Sequence, residues 1–345
     1  MLRRTFPAVY LFGILLTFVS HSAFAQYQLT ILDSNQVGKA TQPADPQSVN
    51  AWGLARAPSS PWWVNDNGSS WATIYNGAGV KQGLEVEIPP AASGGPIGLP
   101  TGIVWNPSQT EFQVQGWQTF FIFDTLDGTI SAWAPGLAQF DAEIAVDNSG
   151  RKASYTGLAV TNKSSENFLF AADNANNKVE IYDGSFKLKG TFASDPAIPT
   201  GFSVFGIRDI GGKVFVTFAA TSGGGGGFVD VYSESGTLLK SSFIHGAQLN
   251  QPWGVALAPS NFGSLSNNML ISNNTNTGTI NAFNPNTGAF VGTIKNKTGE
   301  VIKIDQLWSI DFGGGTPANG PTNTLFFTAG PSNNLAGEFG EIVAK

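Results

Sequence analysis

The chain has 345 residues, of which 42 are Gly, 19 Pro, 26 Phe and 9 Trp, with no Cys and only 12 % charged side chains. Without Cys it is no disulfide-stapled mini-protein, with so little charge it is no coiled coil, and 41 % hydrophobic residues set it apart from disordered chains. A net charge of −6 gives no electrostatic reason to expect nucleic acid or an anionic membrane as a partner.

In chain order, the first element is a targeting segment. Arg3 and Arg4 precede an apolar run from Ala8 to Val19, and Ala23-Phe24-Ala25 places small residues at −3 and −1 of a cleavage site. The sequence predicts a signal peptide over 1–25 and a mature domain over 26–345. The apolar run is shorter than the ~20 residues that span a bilayer, and no later run reaches that length. The expected product is an exported monomer, periplasmic or extracellular, with no membrane span. Lacking Cys in an oxidising compartment, its core must be held by packing alone.

Next comes an alternating stretch, Gln28 to Asp33, that reads as a strand, and then a repeat. An aromatic or similar residue, a Gly and two or three apolar residues recur as Trp52-Gly53-Leu54-Ala55, Thr101-Gly102-Ile103-Val104, Thr156-Gly157-Leu158-Ala159 and Phe205-Gly206-Ile207. The pattern returns as Trp253-Gly254-Val255-Ala256 and, with Ser for Gly, as Trp308-Ser309-Ile310. Marker spacings of 49, 55, 49, 48 and 55 residues match the period of a propeller blade.

Each repeat continues with an apolar strand such as Phe168-Leu169-Phe170-Ala171, a loop rich in Asp, Asn and Gly, and an alternating strand such as Val179-Glu180-Ile181-Tyr182. A Gly-containing turn then leads to a fourth strand such as Val291-Gly292-Thr293-Ile294. The sequence therefore predicts an all-β, six-bladed β-propeller with four strands per blade. The last repeat stops at its third strand, Gly340 to Ala344, so the spare strand at Gln28 to Asp33 is expected to complete that blade and remove an exposed edge.

Phe170 to Asp183 resembles the second half of an NHL repeat, and Gln251-Pro252-Trp253-Gly254-Val255-Ala256 resembles the start of one. Through Asn50-Ala51-Trp52-Gly53-Leu54-Ala55 and Trp62-Trp63-Val64-Asn65-Asp66-Asn67, the chain further resembles an uncharacterised family of secreted bacterial propellers. Some members of that family carry a C-terminal sorting tail, which is not expected here, where the sequence ends on a strand. The resemblance implies a fold. NHL-like propellers include protein and RNA platforms, lyases and lactonases, so it does not fix a function.

Candidate chemistry follows from counting. Beyond the signal peptide His245 is the single histidine, and there is neither Cys nor a Gly-x-Ser-x-Gly elbow, which excludes nucleophilic triads and His/Cys zinc sites. His245 reads as a loop residue or a ligand contact. The run Gly223 to Gly227 lacks the Lys and the helix of a phosphate-binding loop and reads as a hairpin loop.

The loops between second and third strands repeat oxygen-bearing side chains that should gather at one mouth of the central channel. Asp66, Asp124 and Asp173 are candidate ligands for a hard cation such as Ca²⁺, while Asn50, Asn67, Asn174 and Asn274 are candidate ligand-binding amides. The alternative is turn chemistry, which selects Asp and Asn without any ligand. Trp52, Trp253 and Trp308 are expected to wedge between neighbouring sheets. Trp62, Trp63, Trp71 and Trp117 lie outside the repeat, and one or more of them are candidates for an apolar or sugar-stacking surface.

Two functions remain. One is a non-catalytic platform for a protein or carbohydrate ligand. The other is a metal-dependent, lactonase-like hydrolase or lyase with its cation on the three aspartates.

Overall fold

The computed structural model describes residues 1–2 and 26–345; the expected signal peptide otherwise lies outside the described residues. Residues 26–345 form six antiparallel four-stranded sheets around a central axis. The first blade comprises Ala51–Ala55, Trp62–Asp66, Trp71–Tyr75 and the short Val86–Glu87, and the second Pro100–Trp105, Phe121–Thr125, Thr129–Trp133 and Glu143–Asp147. Blade three is built from Tyr155–Val160, Phe168–Asp173, Lys178–Asp183 and Leu188–Thr191. Blade four follows with Phe202–Ile210, Lys213–Ala220, Phe228–Ser233 and Leu238–His245, and blade five with Pro252–Leu257, Met269–Asn273, Ile280–Phe283 and Phe290–Thr293.

The sixth blade draws three strands from the C-terminal end, Leu307–Phe312, Thr324–Ala329 and Glu338–Ala344, and its outermost strand, Tyr27–Ser34, from the N-terminal end. The ladder runs from Tyr27 opposite Ala344 to Ser34 opposite Glu338. The ring is thus closed by main-chain hydrogen bonds between distant parts of the chain, as the strand count required.

Blades pack face to face, so an alternating strand buries one side chain set against the preceding sheet and the other against the following one. Among the described residues the buried apolar side chains accordingly form one cluster in each of the six seams, with a seventh on the axis. Trp62, Val64, Tyr75, Phe326 and Phe339 fill the seam between blades six and one, for example, and Phe170, Val179, Val216 and Tyr232 that between three and four.

The marker glycines have a steric cause. Neighbouring inner strands converge on the axis so closely that a Cβ on Gly53 would sit 2.2 Å from the Thr101 carbonyl oxygen, and one on Gly206 2.1 Å from that of Trp253. Each inner strand also carries a register shift spanning its marker, as between Ala51 and Leu54 or Pro252 and Val255. Such an irregularity re-aims the side chains within it.

Candidate functional site

The axis of the propeller has two mouths: an entry mouth at the start of the inner strands and an exit mouth at their ends. The entry mouth is plugged. Trp52, Trp253 and Trp308, from blades one, five and six, do not wedge between sheets as expected but meet one another, with Leu126 and Phe205 packed against them. Trp52 stacks on Trp308, and Trp253 meets both edge-on at centroid distances of 6.4 and 6.2 Å. Polar ends fix two of the rings. Trp253 Nε1 donates across the axis to the carbonyl of Thr156 in blade three (2.8 Å), and Trp308 Nε1 donates to Asn50 Oδ1 (2.9 Å).

Beneath the plug, Leu54, Ile103, Leu158, Ile207, Val255 and Ile310, each one residue after its marker, surround a residual cavity of about 20 Å³. That is room for about one water molecule.

The side chains expected to gather at the entry mouth are engaged in holding blades together. Asn67, Asn174 and Asn274 occupy the same position in blades one, three and five, and each donates its Nδ2 to a carbonyl at the head of the next inner strand. The acceptors are Pro100 (3.1 Å), Val204 (2.7 Å) and Leu307 (3.3 Å). Asn50, at φ +52°, donates to Asn67 Oδ1 (3.1 Å) while accepting from Trp308. A ring of hydroxyls does similar work. Thr156, Ser272 and Thr328 donate to the carbonyls of Phe205, Trp308 and Trp52 at 2.7, 2.6 and 2.5 Å.

The three aspartates do not occupy equivalent positions, which corrects the sequence-based alignment. Asp66 and Asp173 pair with the first inner-strand residues, Ala51 and Tyr155, but in blade two that place is taken by Thr125, opposite Pro100. Asp124 lies one residue earlier, and a one-residue offset in a strand turns a side chain to the opposite face of the sheet. Among the described residues no three His, Cys, Asp or Glu side chains are grouped to hold a metal ion.

Each carboxyl has its own local partners. Asp66 accepts from Thr73 Oγ1 (2.6 Å), and Asp124 from Thr101 Oγ1 (2.6 Å) and the Gly102 amide (2.5 Å). Asp173 accepts from the Ser154 amide (3.1 Å) and Asn176 Nδ2 (2.8 Å) and lies 3.7 Å from Lys178 Nζ. Burial pushes the Asp66 carboxyl well above the usual range and that of Asp124 up to about 7, hydrogen bonds opposing the shift in both. Taken up in separate networks and not grouped, the three carboxyls do not form one Ca²⁺ site, and no catalytic step is derived through one.

Of the remaining candidates, His245 ends the outer strand of blade four with its side chain exposed. Gly223 to Gly227 lie in the connection between the second and third strands of that blade, the first three exposed and Gly227 buried. Trp62 and Trp63 are core residues, 0 and 4 % exposed, and Trp71 is half-buried. Trp117 alone of the four is open, 49 % exposed, its ring against Gly136.

The exit mouth is open and charged. A pocket of about 180 Å³ is walled by Ile103, Val104, Trp105, Leu158 and Val160 and carries Arg56, Arg208, Asp209 and Asp311. Arg208 Nη2 donates to Asp311 Oδ2 (2.6 Å), and Arg56 Nε to the Phe312 carbonyl (3.1 Å) with its guanidinium 5.4 Å from the Trp62 ring centre. Burial lowers the pKa of Arg56, the Asp311 charge opposing it and the Arg208 charge adding to it.

These residues escaped the sequence reading, although a signal existed. Two residues past the marker the six repeats read Ala55, Val104, Ala159, Arg208, Ala256 and Asp311: four small or apolar residues and one pair of opposite charge.

No family model matches the chain. It is 30 % identical over 286 residues to the uncharacterised protein R640 of Acanthamoeba polyphaga mimivirus, a match covering 77 % of this chain but 51 % of that protein, so the chain spans about half of R640. To the uncharacterised protein R648 of the same virus it is 27 % identical over 340 residues, covering 93 % and 81 % of the two chains. Among solved structures, virginiamycin B lyase from Staphylococcus aureus superposes with a TM-score of 0.54 at 12 % identity, covering 93 % of this chain and all of that one. At such identity the likeness extends to the six-bladed fold alone.

Proposed function

We propose that the protein is an exported, non-catalytic binding scaffold that presents its propeller face to a protein or carbohydrate ligand. One observation carries this reading: the entry mouth is filled by Trp52, Trp253 and Trp308, and the polar side chains around it are spent on neighbouring blades. What remains available to a ligand is the exit mouth and the blade surfaces.

The reading is tested by thermal unfolding after chelator treatment, with Ca²⁺, Mg²⁺ or Mn²⁺ then restored. A cation at 100 times its dissociation constant would add about 2.7 kcal/mol of stability. The expected result is no shift, in the wild type or in a variant with Asp66, Asp124 and Asp173 all changed to Asn. A rise in Tm that this triple variant loses would replace the scaffold with a metal-dependent enzyme. Export is checked separately, by the intact mass of a product beginning at Gln26.

A further inference from the structure

The exit mouth leaves one guanidinium without an ion pair. Arg56, Arg208, Asp209 and Asp311 line one pocket; Asp311 forms an ion pair with Arg208 and, among the described residues, not with Arg56, while the Asp209 carboxyl accepts from the Gly212 amide. Arg56 is a cation in a half-buried setting, where an unmatched charge is costly and a matching anion is held strongly.

The donors are also only partly used. Arg208 spends Nη2 on Asp311, and Arg56 spends Nε on the Phe312 carbonyl and Nη1 on a long contact, 3.5 Å, to that of Ala57. Arg208 Nε and Nη1 and Arg56 Nη2 have no hydrogen-bond partner among the described residues. A guanidinium presents such N–H groups in the planar fork that matches a carboxylate.

Apart from Asp209, the remaining lining side chains are apolar, among them Ile103, Val104, Trp105, Leu158 and Val160. The pocket's volume of about 180 Å³ suits a ring-sized group, since a cavity of about 150 Å³ lined by apolar side chains holds a benzene molecule.

We propose that the exit mouth is a binding site for a small carboxylate with an apolar body, its carboxylate bridging Arg56 and Arg208 and its body against Trp105 and the aliphatic wall. Asp311 is the internal competitor. It holds Arg208 in place while the site is empty and tempers the affinity when a ligand carboxylate arrives. This assignment rests on the scaffold reading for its role but not for its chemistry.

The test is titration of the mature chain with benzoate and hexanoate, followed by calorimetry and by Trp fluorescence. Benzamide and hexanamide, which keep the shape and remove the charge, serve as controls, with inorganic phosphate as an anion that has no apolar body. The two carboxylates should bind, and the amides and phosphate should bind at least roughly tenfold more weakly, the usual cost of losing a charge-assisted hydrogen bond.

Arg208→Gln should weaken benzoate by about the same factor, and Arg208→Lys by less. Asp311→Asn should tighten it. Since Arg208→Gln leaves Asp311 without its ion-pair partner, Arg208→Gln/Asp311→Asn provides a charge-balanced check and should stay weak while folding normally. Equal binding of acid and amide, or benzoate affinity indifferent to both Arg208 variants and to Asp311→Asn, would overturn the site. Binding with the stated dependence on Arg208 upholds it even if benzoate is consumed, in which case the scaffold reading is what fails.

Discussion

The indole of Trp52 lies flat on that of Trp308, ring centroids 3.5 Å apart and planes 15° from parallel, across the seam where the first blade meets the last. The same two blades are joined by the Thr328 hydroxyl donating to the Trp52 carbonyl and, at the rim, by the closing strand's place in blade six. Closure therefore has an inner and an outer component.

The inner component predicts a large cost for Trp308→Ala. The truncation removes a buried ring from a three-ring cluster and leaves the Asn50 side chain without a donor, which should lower stability by about 3–5 kcal/mol in urea unfolding. Trp308→Phe keeps a ring in the stack and loses the hydrogen bond, costing about 1–3 kcal/mol. A loss below about 1 kcal/mol for the alanine variant would show that the plug does not hold the ring.

The outer component turns on Tyr27. Its hydroxyl donates to the Phe262 carbonyl (2.8 Å) and accepts from the Leu265 amide (3.1 Å), tying the closing strand to a loop of blade five. Tyr27→Phe strands both buried groups, with an expected cost of about 1–3 kcal/mol. Deleting residues 26–34 removes the whole ladder and exposes the edge of Glu338–Ala344. That product should melt far lower and self-associate, measured by calorimetry and light scattering; an unchanged Tm would mean the strand is a mere appendage.

Fold was legible in this sequence because its causes are local and repeated. Inner strands that cannot admit a Cβ require the Gly at 53, 102 and 206, and a count of strands exposed the one missing from the last blade. The side-chain geometry of the axis was not legible. A register shift sits across every marker, so simple alternation gives the wrong direction for Trp52, Trp253 and Trp308. Asp124 misled for a related reason: it resembles Asp66 in its loop but is offset by one residue in register. Arg208 and Asp311 lie 103 residues apart and interrupt the repeat in only two of six blades, so no periodic signal joins them.

The asparagine clips distinguish a structural amide from a recognition amide. Asn174→Ala should cost about 1–2 kcal/mol in urea unfolding by leaving the Val204 carbonyl without its donor. Asn174→Asp, which points an acceptor at an acceptor, should cost more above pH 5 than below, as its carboxylate ionises. If Asn174→Ala leaves stability untouched but removes binding of a ligand, the amide serves recognition and not assembly.

Buried acids predict how stability varies with pH. Burial, helped by the charge of Asp45, pushes the Asp33 carboxyl up to about 7 against hydrogen bonds from Tyr75 and Ser48, and burial likewise places Asp124 at about 7. In the unfolded chain both titrate near 3.8. The folded protein thus holds protons at these two sites that the unfolded chain has released, and the stability they contribute falls as pH rises from about 4 to about 7 and then levels off. Asp33→Asn and Asp124→Asn carry no such proton. Relative to wild type each should gain nothing near pH 4 and progressively more up to pH 7, reaching on the order of 3–4 kcal/mol. Groups shifted the other way, such as Glu180, held down by the hydroxyls of Tyr182 and Tyr155 and by Lys178, contribute equally to wild type and variant and cancel in the difference. Urea unfolding of the three proteins at half-unit pH steps provides the measurement. Parallel curves across that window would mean that Asp33 and Asp124 are ionised in the fold, and that their buried oxygens carry a charge for which a partner must then be sought.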